Sequence, residues 1–197
     1  DVIQKGDIEK SMDGITTSVQ HLSQTIDYFR DFFKDNKLKS TFLLSHTFEK
    51  TFKLVTSQFK TSNISIIKNI EDISFLGSEN ELIQVLINIL NNARDELIKK
   101  EQKQKLILID TRVNNDELEI SIKDNAGGIP LKVLDEVFES HFTTKQDSNG
   151  TGIGLYMSKM IITEHMNGTL EAKNVDFIYE NNSYYGAQFK ILVPLLD

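Results

Sequence analysis

The sequence predicts an α+β fold: a two-layer α/β sandwich with a mixed, mostly antiparallel sheet and helices on one face, preceded by a long coiled-coil-like helix. Three observations predict it. Several stretches alternate apolar and polar residues between turn signals, the mark of half-buried strands. Two longer stretches repeat apolar residues at helical spacing. Near the start, Ile8, Met12, Ile15, Val19, Leu22, Ile26, Phe29 and Phe33 stand alternately four and three apart. That is a heptad seam, and so narrow a stripe suits a partner helix better than the face of a globular core.

Composition bounds the rest. The 197 residues are 39% hydrophobic and 26% charged, which suits one globular domain with an appendage. The chain opens on Asp1, so a longer parent protein is expected. No apolar run reaches the length of a membrane span and no signal peptide is visible, so this stretch is expected to be cytoplasmic, without membrane contact of its own. The absence of cysteine excludes disulfides and thiolate metal sites. A net charge of −7 argues against a nucleic-acid binder, which needs a basic surface.

The heptad helix is expected to end at Lys34-Asp35-Asn36-Lys37, a polar break that divides residues 1–36 from a domain over 37–197. Gly14 weakens that helix by about 1 kcal/mol relative to alanine, so packing must hold it. Residues 41–44 read as a short strand. Ser45 is expected to cap a helix through Phe59, with Phe48, Phe52, Val55 and Phe59 on one face. Residues 64–67 and 73–76 read as strands. Ser78 and Glu81 form the pattern of a capping box, opening a helix over 79–100 that is apolar on most sides. Gln84, Asn88, Asn92 and Asp95 line its remaining face. That stripe either faces water or lines a site. Asparagine is a poor helix former, and two asparagines here favour a site.

Residues 105–112 and 118–124 read as a hairpin around Asn114-Asn115-Asp116, 131–138 as a short helix and 140–150 as a mobile lid. A helix over 152–166 is expected to stop at Asn167-Gly168. Strands over 169–173, 175–179 and 186–193 complete the chain.

Two glycine-rich turns stand out in this frame. Asp124-Asn125-Ala126-Gly127-Gly128-Ile129-Pro130 puts a carboxylate and two glycines at a strand end. Gly150-Thr151-Gly152-Ile153-Gly154-Leu155 runs straight into a helix. Glycine permits positive φ and close approach to the main chain. A glycine turn that opens a helix offers free N–H groups to an anion, typically phosphate.

These residues resemble the catalytic ATP-binding domain of sensor histidine kinases, whose superfamily also holds gyrase, the 90-kDa heat-shock chaperones and MutL. Residues 84–93 look like the asparagine box, 124–128 the first glycine box, Phe142-Thr143-Thr144-Lys145 the phenylalanine box and 150–155 the second glycine box. Gly186-Ala187-Gln188-Phe189 before Pro194 is similar to the closing strand. The end of the heptad helix looks like the second helix of the dimerisation and phosphoacceptor hairpin. The first helix, which would carry the phosphoacceptor histidine, is expected to lie outside this stretch. His21 is the only helical histidine near the seam, and the residues after it depart from the family's acceptor pattern.

The resemblance implies roles. Asn92 would ligate Mg²⁺ through its carboxamide oxygen, with Asn88 supporting the metal or the phosphates. Asp124 would accept the adenine amino proton, and Gly127, Gly128 and Ile129 would let the backbone pass the base. Gly150, Thr151, Gly152, Ile153, Gly154 and Leu155 would hold the phosphates beneath Thr143, Thr144 and Lys145. Lys145 either reaches the γ-phosphate or is simply solvated. Asp95 joins the nucleotide face, although many members carry a lysine or arginine there, which shifts weight onto Lys145. Ser140-His141 stand where many members have Pro-Phe.

The expected function is transfer of the ATP γ-phosphate to a histidine on a dimeric helical hairpin, then to a response-regulator aspartate. Members that hydrolyse ATP carry a glutamate where this chain has Asn88, and an amide cannot take a proton from water. A conformational-clamp ATPase, a serine kinase of the anti-sigma-factor type and a binding module with an empty nucleotide site are the alternatives.

Overall fold

The structure, a computed structural model, describes residues 39–100, 102–143 and 152–195. The heptad helix, His21 and the boundary near residue 36 lie outside them. The five-stranded sheet runs β2 (Ile64–Asn69), β4 (Lys105–Asn114), β5 (Glu117–Asp124), β7 (Asn182–Pro194), β6 (Thr169–Tyr179). Only β2 and β4 pair in parallel; the other three ladders are antiparallel. The expected mixed, mostly antiparallel sheet is therefore present. A separate ladder joins β1 (Ser40–Leu43) to β3 (Ser74–Gly77).

The sheet has two unlike faces because strand side chains alternate. Ile107, Ile109, Ile120, Ile122, Ile191 and Val193 point to one core with Phe48 and Phe59 of α1 (Leu44–Thr61) and Leu82, Leu86, Ile89 and Leu90 of α2 (Glu79–Lys99). The opposite face carries Glu119 between Arg112 (2.8 Å) and Lys190 (3.0 Å), and Gln188 donating to Ser121 at 2.6 Å. The helices thus cover one face, giving two layers. Arg112 lies over the sheet with its head in water, while Glu119 itself is buried. Both cations hold the Glu119 carboxyl below its ordinary pKa against the opposing effect of burial, its largest single influence.

Turn chemistry explains the hairpins. Asn114 pairs with Glu117, leaving a two-residue loop, Asn115 (φ 50°) and Asp116 (φ 60°). Tyr179 pairs with Asn182 across Glu180 (φ 49°) and Asn181 (φ 61°). Two successive positive φ angles match the right-handed strand twist; Asn115, Asp116 and Asn181 tolerate them, and Glu180 adopts one without that preference.

Five expectations about elements need correction. Ser45 does not cap α1. Leu44 N–H donates to Ile73 O at 2.8 Å, so the chain leaves the β1–β3 ladder directly into the helix, and Ser45 Oγ donates to Asp72 at 2.7 Å. Ser78 holds the N-cap position of α2, but its side chain makes no cap bond; Glu81 Oε1 meets His165 Nδ1 at 2.6 Å. The helix expected over 131–138 is a 3₁₀ segment, Leu131–Glu136. The helix expected over 152–166 is α only as α3 (Gly154–Met160); Ile161–His165 then widens into a π turn, with Met166 N–H donating to Ile161 O. Residues 169–179 form one strand where two were expected, since Asn174 keeps its ladder place opposite Ala187. The stop after the helix is as expected, with Asn167 taking the left-handed conformation (φ 52°). Most of the expected lid falls outside the described residues.

Candidate nucleotide site

Alternation along β5 places Leu118, Ile120, Ile122 and Asp124 on the core side, so a row of apolar residues ends in a carboxylate that is 4% exposed. Asp124 Oδ1 accepts the Ala126 N–H at 2.9 Å and the Ala187 N–H at 3.3 Å. Burial pushes its carboxyl from 3.8 up to about 6, and Glu96 of α2 pushes the same way, while the two N–H bonds oppose the shift. Glu96 lies one helical turn past Asn92. α2 packs against β5, the strand that ends in Asp124.

The turn itself is built from positive φ angles at Gly127 (85°) and Gly128 (78°). Its two glycines differ in surroundings. A Cβ on Gly127 would meet nothing within 4 Å, whereas one on Gly128 would lie 2.7 Å from Asn174 Oδ1. Neighbouring strands hold the turn on both sides. Asn125 Oδ1 accepts from Leu106 N–H and its Nδ2 donates to Gln104 O, both at 2.8 Å. Gly127 N–H donates to Tyr185 O at 3.2 Å. Gly186 is required by close approach, since a Cβ there would fall 1.7 Å from Asp124 O. Gly186→Ala is expected to destabilise the domain by at least about 3 kcal/mol, the upper range of overpacking, read as a fall in the urea midpoint.

On α2, Gln84, Asn88, Asn92 and Asp95 are all half-buried, so the stripe does not simply face water. Asn88 Nδ2 donates to Gly154 O and to Ser158 Oγ, both at 3.2 Å, and Ser158 Oγ donates to Gly154 O at 2.9 Å. Asn88 therefore docks the first turn of α3 onto α2, joining the asparagine face to the second glycine turn. Asp95 Oδ1 accepts from Arg94 Nε at 2.9 Å and Nη2 at 2.6 Å. Arg94 Nη1 reaches Asn91 and Gln58 of α1, so this cation is turned to the helix pair.

Of the remaining expected residues, Gly152 takes a positive φ of 65°, with the His141–Phe142 backbone packed against the place its Cβ would fill. His141 is exposed and itself left-handed (φ 65°). Ile153 is 4% exposed, Leu155 packs on the core, and Thr143 and Ile129 are half-buried. Thr144, Lys145, Gly150 and Thr151 lie outside the described residues. Sequence reading missed Glu96, Asn125, Ser158 and Asn174. Only Asn125 stood inside a recognised motif; the others carry no local signal. A cleft of about 350 Å³ lined by Thr41, Phe42, Leu43, His46, Lys50, Ser74 and Glu79 opens elsewhere, at the N-terminus of α2. Asn92 is roughly 20 Å further along that helix by its rise per residue.

A sequence profile described as histidine kinase-, DNA gyrase B-, and HSP90-like ATPase matches residues 77–197. The chain belongs to this ATPase family. The ATPase match contains the α2 asparagines, both glycine turns and the closing strand, and ATP is the nucleotide its fold serves. Among curated proteins, the chain is 26% identical to the sensor protein FixL of Bradyrhizobium diazoefficiens over 193 residues, covering 96% of this chain and 36% of that one. It is 31% identical to sporulation kinase C of Bacillus subtilis over 158 residues, covering 77% and 34%. The chain thus spans about a third of these relatives. A solved histidine kinase, ThkA in complex with the response regulator protein TrrA, superposes with a TM-score of 0.71 at 20% identity, covering 99% of this chain and 53% of that chain. At that identity the likeness establishes the fold. The relatives it resembles in sequence are thus a sensor protein and a sporulation kinase.

Proposed function

We propose that this ATPase-family domain binds Mg-ATP between α2 and the Asp124 turn and passes the γ-phosphate to a histidine on a dimeric helical hairpin. A response-regulator aspartate is the next acceptor. One observation carries the reading: Asn88 ties the glycine-started helix α3 to the asparagine face of α2, which puts phosphate-binding backbone and amide side chains on one wall. Asp124, buried and held by two backbone N–H groups, faces the base from the other wall.

Asp124 as a carboxylate accepts the adenine amino group. The open side of Gly127 admits the base plane. Backbone N–H groups at Gly152 and the start of α3 meet the phosphates, with Lys145 reaching the γ-phosphate. No cluster of three His, Cys, Asp or Glu able to hold a metal occurs among the described residues. Mg²⁺ suits a site with few protein ligands, since it keeps waters and takes phosphate oxygens. Asn92 would hold it through Oδ1, supplying charge neutralisation for phosphoryl transfer. Asn88, an amide committed to Gly154 and Ser158, cannot serve as a base for water. That favours transfer over hydrolysis. Dimerisation would come from the heptad seam, and the partner from the hairpin that presents the histidine.

Two experiments test this. ADP with Mg²⁺ at a hundred times its Kd should stabilise the domain by about 2.7 kcal/mol, seen as a rise in melting temperature; no shift rejects the site. With radiolabelled ATP, the chain alone should remain unlabelled and should label a supplied histidine-bearing hairpin. Self-labelling would show that the acceptor lies within this chain, and steady ATP turnover without acceptor would favour the clamp ATPase.

A further inference from the structure

Asn174 lies in the middle of edge strand β6, far in sequence from either glycine turn. Its side chain leaves the ladder and grips the Asp124 turn. Asn174 Oδ1 accepts the Ile129 N–H at 2.7 Å, and Nδ2 donates to the Ile129 carbonyl at 2.8 Å. One carboxamide thus satisfies both backbone groups of one residue, as a neighbouring strand would. The same oxygen fills the space behind Gly128, where a Cβ would lie 2.7 Å from it, while the side beside Gly127 is open. Asn174 therefore seals one side of the turn and leaves the other clear. Asn125 makes a second such pair at the other end of the turn, accepting from Leu106 N–H and donating to Gln104 O. The difference is accessibility: Asn125 is buried at 5%, while Asn174 is half-buried.

We infer that Asn174 is a positioning residue for adenine recognition: its carboxamide fixes the Gly127-Gly128-Ile129 turn in the left-handed geometry that keeps the base slot open beside Asp124. This rests on the nucleotide site proposed above. The physical reason is conformational entropy. A turn with two adjacent glycines has many backbone states, and two hydrogen bonds to the residue that follows them remove most of those states before the ligand arrives. Preorganisation of this kind raises affinity without any contact to the ligand.

The test compares wild type with Asn174→Ala and Asn174→Asp, using ADP and inosine diphosphate, which lacks the exocyclic amine. Affinities are read by calorimetry and backbone amide exchange by NMR. Wild type should prefer ADP. Asn174→Ala should weaken ADP about tenfold, as for loss of a net hydrogen bond's contribution, and should narrow the ADP-to-inosine-diphosphate ratio. Amide exchange at Gly127 and Ile129 should accelerate while that of Leu86 and Ile89 in α2 does not. Asn174→Asp keeps the acceptor for Ile129 N–H but sets a carboxylate oxygen against the Ile129 carbonyl, so it should weaken ADP at least as much as alanine; it also serves if the alanine variant does not fold. A merely structural role predicts equal weakening of both nucleotides with an unchanged ratio, and that result overturns the inference. Failure of wild type to bind ADP would instead overturn the nucleotide site itself.

Discussion

Asp124→Asn is expected to make the nucleotide-free domain more stable while removing its affinity for ATP. The native carboxyl is raised from 3.8 to about 6 chiefly by burial, so at neutral pH the fold carries a buried charge that the unfolded chain exposes to water. Asparagine keeps an oxygen for the Ala126 and Ala187 N–H groups and removes the charge. The gain should be about 3 kcal/mol, given a shift of roughly two pKa units, and about 9 °C in melting temperature. The adenine amine would then face an amide able to donate in its turn, and ADP should cease to bind measurably. A destabilised variant that still bound ADP would contradict both halves.

The same group sets opposite pH trends. Between 3.8 and about 6 the folded domain holds a proton that the unfolded chain releases. Its contribution to stability is full below 3.8 and lost as pH rises through about 6. ADP affinity should rise through the same window, because the carboxylate is the form that accepts the amine. Urea titrations and calorimetry at pH 5 and pH 7.5 would separate the two trends; parallel trends would assign the titration to some other group.

Asn92→Ala carries the second large effect. If Asn92 supplies the protein oxygen to Mg²⁺, its loss should slow phosphoryl transfer to a supplied hairpin about 10²–10³-fold, the usual cost of one preorganised charge-stabilising group. ADP binding in the presence of a chelator should be nearly unchanged, since Asp124 and the Gly127 turn are untouched. A variant that lost metal-free ADP binding in the same measure would place Asn92 in the base or ribose contacts. Asn88→Ala should behave differently. It releases Gly154 and Ser158 from α2, so nucleotide binding and local stability should fall together.

The parts of this domain legible in the sequence are those with strong local physics. The α2 stripe and the alternation of β4 and β5 follow from period alone, and the β4–β5 hairpin follows from Asn115 and Asp116 at positive φ. The glycine turns were visible because glycine tolerates what other residues do not. What escaped reading depends on distant partners. Nothing local tells that Asn174 would reach back 45 residues to Ile129, or that Glu96 would raise the Asp124 carboxyl. The capping-box pattern at Ser78 is misleading, because the Ser78 side chain makes no cap bond; Glu81 meets His165 in a π turn that no propensity announces. Ser45 failed as a cap because a ladder bond from Leu44 to Ile73 settles where the helix starts. Tertiary pairing decided each case over local preference.

Whether one nucleotide spans α2 and the Asp124 turn is tested most directly by an NMR titration with ADP, without and then with Mg²⁺. ADP alone should shift the backbone amides of Gly127 and Gly128, and Mg²⁺ should then shift the Asn92 side-chain amide, both saturating at one binding constant. Movement at Gly127 with Asn92 unmoved under saturating Mg-ADP would separate the two walls and contradict the account.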